Sequence, residues 1–317
     1  MMNTVSDKPS VSVVIPTHNR PHTLPRAIQS VLRQTYRDLE IIVVDDASRT
    51  TEAEKIVTEI AANDPRVTYI RRDIGGGAAA ARNTGIGVAR GSFIAFQDDD
   101  DEWLLGKLEQ QMRLMLRLGE ECLLVAGRLL RYIPGANPKV YEWPTSEDGV
   151  WVDPRRFIEG YTAFIQTALI RKSALDAIGA FNPDVPISED FELALRLLNS
   201  GKLATVQNFV TMSYEQAGNS LSNQRALRIV SNLKILQLHR AQLEAYPVAF
   251  GILHYEVAVN SVIAGRRWVA IAHWVQALKA NPLAFRVYLL MPMLILGSSA
   301  ALTGIRFSQR IKKALGR

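Results

Sequence analysis

A single cysteine in 317 residues excludes an intramolecular disulfide. That residue, Cys122, lies in the apolar stretch 122–125, which suits a small buried thiol and a reducing compartment. The first ten residues lack the apolar core of a signal peptide, so the folded chain is expected to begin at Val11, on the cytoplasmic side. Low-complexity tracts and repeats of fixed period are also missing. Acid is absent from one end. Residues 257–317 hold nine Lys or Arg and no Asp or Glu, while the other 256 carry 28 basic against 31 acidic side chains, a net of −3. The overall charge of +6 therefore belongs to the tail, and the body of the chain lacks the basic face that nucleic acid requires.

Short apolar or β-branched runs at 11–15, 40–44, 67–70 and 93–96 have the length of strands, and each ends in polar or Gly-rich residues. Between them, 24–34 and 52–62 space their apolar positions as helices do, and the Ala-rich 78–89 favours helix. Strand and helix in alternation imply an α/β fold: a Rossmann-like mixed sheet, mostly parallel, with helices on both faces. Ligands then bind at the carboxyl ends of the strands. Further on, 103–118 reads as a helix, 122–132 as a strand and 137–152 as an excursion containing Pro and Trp. Residues 173–177 read as a helix stopped by Gly179, and 189–199 as a helix capped by Ser188. Beyond about Asn223 long helical patterns replace strand signals. The expected division is 1–222 as the catalytic α/β domain, 223–282 as a helical region and 283–317 as an apolar and basic tail.

Acidic residues gather where strands end and one helix begins. Asp45 and Asp46 follow the second strand, where ionised carboxylates could accept hydrogen bonds from a base or a ribose, or merely cap the next helix. After the 93–96 strand comes Gln97, then five consecutive acids from Asp98 to Glu102, then Trp103. Their mutual repulsion would be relieved by a hard cation with oxygen ligands, Mg²⁺ or Mn²⁺ bridging to a diphosphate. The plainer reading is a solvated acidic loop before a helix. Glu189 and Asp190 open the third group, where a carboxylate under a cleft could act as general base, or simply favour a helix N-terminus. Gly75, Gly77 and Ala80 also match the GxGxxG/A dinucleotide pattern, which would make the chain an NAD-dependent oxidoreductase. Against that, Arg71, Arg72 and Asp73 separate strand from glycines, and Asp45, Asp46, Glu189 and Asp190 would be left without a role.

Taken together, these motifs resemble the family 2 glycosyltransferases of GT-A fold, over about residues 11–218. VVIPTHNR at 13–20 resembles the family's opening strand and nucleotide-binding turn, and 34–36 (QTY) with 45–48 (DDAS) resemble its next two segments. ARNTG at 81–85 and the stretch 96–103 resemble its ARN and DxD elements, and Phe181 with 189–193 its EDxxL element. The resemblance implies nucleoside contacts from Pro16, Thr17 and Asp46, and Arg82 or Asn83 near the donor. It implies Asp98 near the ribose, Asp100 on the metal and Asp190 as base, with Trp103 and Glu189 bordering the sugar and acceptor pocket. Ala47 departs from the usual Gly, and Asp99 from the usual small residue inside DxD. The processive QxxRW element is incomplete: Arg267 and Trp268 are present, but Ala264 stands where Gln is needed.

The function implied is an inverting, metal-dependent, non-processive transfer of one sugar from a nucleotide sugar, of UDP type by the resemblance. The acceptor would be the hydroxyl of a glycan or lipid-linked saccharide in exopolysaccharide, capsule or lipopolysaccharide assembly. The alternative from another class is a catalytically inactive nucleotide- or sugar-binding protein. Residues 287–305 carry no charge but are broken by Pro292, Gly297 and Gly304 and followed by five cations, so a peripheral or monotopic hold on the inner membrane's cytoplasmic side is expected instead of a span.

Overall fold

The computed structural model describes residues 10–160, 164–214 and 224–296. Their first ordered segment, β1 (Val11–Thr17), is buried along nearly its whole length, as is β2 (Leu39–Asp45). Near-continuous apolar runs of this kind belong to parallel strands covered on both faces. β1 pairs in parallel with β2 and with β4 (Phe93–Phe96), and β2 with β3 (Val67–Arg71). The connections are helices: α1 (Leu24–Leu32), with Pro25 in its first turn, α2 (Glu52–Asn63) and α3 (Gly77–Val88). Alternation along β1 sorts them onto opposite faces. Val13 and Ile15 join Leu24 and Ile28 of α1 in the main core, whereas Val14 faces α3 so closely that a Cβ on Gly85 would fall 2.4 Å from its Cγ1.

The sheet continues with β5 (Glu102–Trp103), β6 (Cys122–Tyr132), β7 (Lys139–Tyr141), β8 (Leu169–Arg171) and β9 (Lys202–Tyr214), in the order β3-β2-β1-β4-β8-β6-β9-β5 with β7 beside β6. β8 runs antiparallel to β4 and to β6, and β9 parallel to β6, so the second half is mixed. Four helices complete this part, α4 (Lys107–Leu118), α5 (Pro154–Gly160), α6 (Lys172–Ile178) and α7 (Glu189–Ser200), with a 3-10 turn at Ile165–Thr167 preceding β8. The expected α/β class, strands 11–15 to 93–96 and the helices between them are present. Cys122 is buried as expected, its thiol pushed up to about 11 by burial.

Three expectations are corrected. Residues 103–118 are not one helix: Glu102 and Trp103 pair with Met212 and Thr211, and α4 starts at Lys107 after Gly106 at φ 81°. Ser188 stands at the N-cap of α7 but makes no capping hydrogen bond, because its backbone is left-handed at φ 63°. The strands β8 and β9 were not expected at all. Gly179 does end α6, at φ 75°.

By its contacts the chain forms two units, one of 1–157, 162–183 and 188–217, the other of 158–161, 184–187 and 218–317. Among the described residues the second holds the helices α8 (Arg225–Leu238), α9 (Arg240–Glu244), α10 (Pro247–Ile263), α11 (Arg267–Ala280), α12 (Phe285–Leu289) and α13 (Met291–Leu296). A small core there joins Ala258 and Val262 of α10 to Ala270, Leu290 and Leu294. No helix among the described residues is long and apolar enough to cross a membrane. Of the stretch 287–305, residues 297–305 lie outside the described residues.

Candidate active site

The turns after β1 and β2 are laced together at the carboxyl edge of the sheet. His18 Nδ1 is 2.9 Å from the Asp46 carbonyl, the Asn19 amide donates to Ser48 Oγ at 2.9 Å, and the Arg49 amide donates to Asn19 Oδ1 at 2.8 Å. Asp45 is consumed by this architecture: its carboxylate accepts from the Ser48 amide and from the Tyr69 hydroxyl. Burial and that carboxylate push the Tyr69 phenol up to about 12. Asp46 instead reaches the Gly75–Gly77 turn, accepting from Arg72 and from the amides of Gly76 (3.0 Å) and Gly77 (2.7 Å). Of the glycines that matched a dinucleotide pattern, Gly77 thus points its amide at a protein carboxylate, as does Gly76 beside it.

Two arginines organise the acids beyond β4. Arg20 shares one Nη between Asp100 (2.6 Å) and Asp99 (3.1 Å), and Thr17 donates its hydroxyl to Asp99 at 2.7 Å. Arg26 donates to the Asp100 carbonyl and pairs with Glu102 at 3.2 Å. Asp101 accepts from Gln166 Nε2 and the Tyr214 amide. Burial pushes Asp99 up to about 6, and burial with neighbouring carboxylates raises Asp100 and, more strongly, Asp101. Desolvation is the first cause of each rise, and repulsion between neighbouring carboxylates adds to it. Beside the run, both ends of the buried Gln97 amide lack a protein partner.

Arg82, buried in α3, joins this run to α7. Its Nη1 donates to Glu189 Oε1 at 2.6 Å and its Nη2 to Asp98 Oδ1 at 2.9 Å. Asp190, next along, accepts from the Phe191 amide at 2.8 Å and is pushed up to about 7, first by burial and then by the charge of Glu189, with Asp98 adding to it. A carboxylate poised there can take a proton near neutral pH.

Among the residues expected at the site, Thr17, Asp98, Asp100, Arg82 and Glu189 are joined by direct hydrogen bonds or ion pairs within this network, and Asp190 adjoins it. Pro16 lies in β1 facing Val44 across the pair. Asn83 exchanges two hydrogen bonds with the Phe181 backbone and so anchors the loop before α7. Trp103 lies in the core, its indole N–H donated to the Gln166 carbonyl and the Lys107 ammonium 4.2 Å above its ring. The partners Arg20, Arg72 and Gln166 were not foreseen. Arg72 left a signal, a charge between a strand and the glycines that follow it; Gln166 left none. A cavity of 780 Å³ bordered by Arg33, Arg37 and Arg66 shares no residue with the network.

A model of the family described as glycosyl transferase family 2 matches residues 12–179. The chain belongs to that family. WfaP of Escherichia coli, a UDP-Glc:alpha-D-GlcNAc-diphosphoundecaprenol beta-1,3-glucosyltransferase, is 30% identical over 231 residues, 72% of this chain and 85% of WfaP. WfgD of the same organism, with the same described activity, is 41% identical over 107 residues, 34% of this chain; the match spans only 41% of WfgD. In fold, this family 2 chain is similar to S. aureus TarS 1-349 in complex with UDP-GlcNAc, at TM-score 0.60 and 15% identity, over 87% of this chain and 93% of that one. A mannosyltransferase from Pyrobaculum calidifontis, PcManGT in complex with GDP-Man and Mn²⁺, gives TM-score 0.52 and 20% identity over 94% and 81%.

Proposed function

We propose that the chain is an inverting, non-processive glycosyltransferase that moves one sugar from a UDP-sugar to a hydroxyl of a lipid-linked saccharide in polysaccharide assembly. The observation that carries this reading is Arg82, whose guanidinium ties Asp98, at the end of β4, to Glu189, beside the candidate base. Asp190 takes the proton of the acceptor hydroxyl as that oxygen attacks the anomeric carbon, and the nucleoside diphosphate departs from the opposite face. The turns carrying Pro16, Thr17 and Asp46 hold the nucleoside, and Arg82 and Asp98 face the donor. Trp103 supports the pocket wall from beneath, and Glu189 borders the pocket.

The acids present fit a divalent ion. No group of three or more His, Cys, Asp or Glu among the described residues is placed to hold a metal ion by itself. Mg²⁺ and Mn²⁺ at phosphoryl sites use one or two carboxylates together with the substrate's own oxygens, and Asp100 lies among five consecutive acids, Asp98 to Glu102. When bound there, the ion would neutralise charge on the departing diphosphate. The WfaP and WfgD descriptions, with their diphosphoundecaprenol-linked acceptors, support the acceptor class, and a place on the cytoplasmic side of the inner membrane is part of the same proposal. The domain roles follow: 1–222 for catalysis, 223–282 as a helical region and 283–317 toward the membrane.

The test is transfer from UDP-sugars to diphosphate-lipid-linked saccharides, with and without Mn²⁺, scored for product and anomeric configuration. Nucleotide binding with no transfer or donor hydrolysis across the panel would leave a binding protein. Retention of configuration would remove the single displacement.

A further inference from the structure

The Arg267–Trp268 pair lies exposed at the start of α11. Trp268 opens α11 and is 81% exposed. α11 buries Ala270 and Ala277, and Ala270 shares a small core with Leu290 and Leu294 while Trp274 donates its indole N–H to the Val287 carbonyl at 2.8 Å. At 100° per residue, Trp268, Ala272, Val275 and Lys279 then fall on the side of α11 away from that core. The helices packed beside it do the same. α12 and α13 bury Val287, Leu290 and Leu294, and leave outside Phe285 (74% exposed), Leu289 and Met291, with Leu283 at 93% just before them.

The charge around these apolar side chains has one sign. Arg266, Arg267, Lys279 and Arg286 are exposed, and no acidic residue follows Glu256 to the end of the chain, whose last 21 residues add five more cations. A second copy of the chain would bring like charge against like. An anionic lipid surface accepts both components, the aromatic and aliphatic side chains at the headgroup–acyl boundary and the cations on the phosphates.

We propose that α11, α12 and α13 form an interfacial docking surface for an anionic phospholipid bilayer, anchored by Trp268, Leu283 and Phe285 and steered by Arg266, Arg267, Lys279 and Arg286. This surface rests on and deepens the membrane role proposed above for 283–317, extending it to α11, and it does not depend on the glycosyl-transfer chemistry. It also differs from a hold by the terminal residues alone, since the anchors precede residue 297.

Full-length protein is mixed with vesicles of phosphatidylglycerol and phosphatidylcholine, or of phosphatidylcholine alone, and sedimented. Binding is expected only with phosphatidylglycerol, weakening as salt rises and accompanied by a blue shift of tryptophan emission. The double variant Trp268→Ser, Phe285→Ser should bind about tenfold more weakly without the shift, and Arg266→Gln with Arg267→Gln should weaken binding while reducing its salt dependence. Circular dichroism and thermal unfolding check that both variants are folded. Equal binding by wild type and the Trp268/Phe285 variant would overturn the proposal and leave the hold to residues 297–317. Equal binding to both vesicle types would overturn it as well, as would a dimer in solution that Trp268→Ser dissociates.

Discussion

One Nη of Arg20 lies 2.6 Å from an Asp100 carboxylate oxygen and 3.1 Å from one of Asp99, so the chain supplies its own counter-ion to the acidic run. A cation seeking Asp100 must displace or share that guanidinium. Arg20 is partly exposed, and such a pair is worth ~1 kcal/mol, equivalent to about fivefold in an equilibrium constant. Arg20→Ala should therefore tighten Mn²⁺ binding to the ligand-free protein by about that factor, read from the electron paramagnetic resonance signal of free Mn²⁺. Weaker binding in the variant would show that Arg20 helps hold the ion.

The same run sets a dependence on pH. Asp99 is raised from 3.8 to about 6 by burial, and Asp100 and Asp101 are raised in the same direction. The folded state thus holds these protons more tightly than the unfolded state. The contribution of Asp99 to stability is full below 3.8 and is lost as pH climbs through about 6, and Asp100 and Asp101 act in the same direction. A divalent cation competes with those protons and needs the ionised form. Mn²⁺ should accordingly raise the Tm more at pH 7.5 than at pH 5 in differential scanning calorimetry. An equal rise at both would place the ion elsewhere.

Asp190 should govern the acid limb of the rate profile. Raised to about 7 by burial and by Glu189, it is half protonated near neutrality, and a base must be ionised to act, so kcat should rise with pH through about 7. Asp190→Asn should lower kcat by roughly 10²- to 10⁴-fold with donor affinity nearly unchanged. Glu189→Gln removes the second cause of the shift, and its acid limb should move to lower pH. A limb that stays in place when Glu189 is neutralised would assign it to another group.

Much of this was legible in the sequence because parallel strands announce themselves. β1, β2 and β4 are short, apolar and bounded by polar turns, and the acids at their ends sit where such sheets bind ligands. β9 was illegible for the converse reason. It mixes Lys202, Gln207, Asn208 and Thr211 among its apolar residues and follows β6 with shifts of register, so neither alternation nor a continuous run survives. Partnership was hidden too. Spacing marks Asp98 and Glu189 as interesting but says nothing of Arg82 between them, 16 residues from one and 107 from the other. Trp103 looked like a pocket residue from its place after the acids, whereas the short β5 turns it inward beneath Lys107.

Asp46 carries the turn it faces. Removing its carboxylate leaves Arg72 and the amides of Gly76 and Gly77 without their acceptor, and the turn loses its geometry. Asp46→Ala should weaken UDP binding by at least about tenfold in titration calorimetry on the full chain, since one such contact to a charged group is worth roughly 1.5–3 kcal/mol. Asp46→Asn keeps an acceptor oxygen without the charge and should fall between. An Asp46→Ala protein that binds UDP as tightly as wild type would free Asp46 from any part in the nucleotide site.

Ala47 offers a test of strain at the site. It adopts φ 59°, and the other two non-glycine residues with positive φ among the described residues, Asn19 and Ser188, also lie in the site's turns. For an L-residue this left-handed region costs ~1 kcal/mol because Cβ crowds the following carbonyl, and only Asn tolerates it readily. Glycine at 47 has no Cβ to crowd. It also gives the unfolded chain more freedom, which returns roughly half of the gain. The net expectation for Ala47→Gly is a stabilisation of about 0.5 kcal/mol, a small rise in urea midpoint with unchanged slope. A lower midpoint would mean that the neighbouring bonds of Asp45 to Ser48 and of Asn19 to Ser48 and Arg49 hold the turn so firmly that the alanine rests without strain.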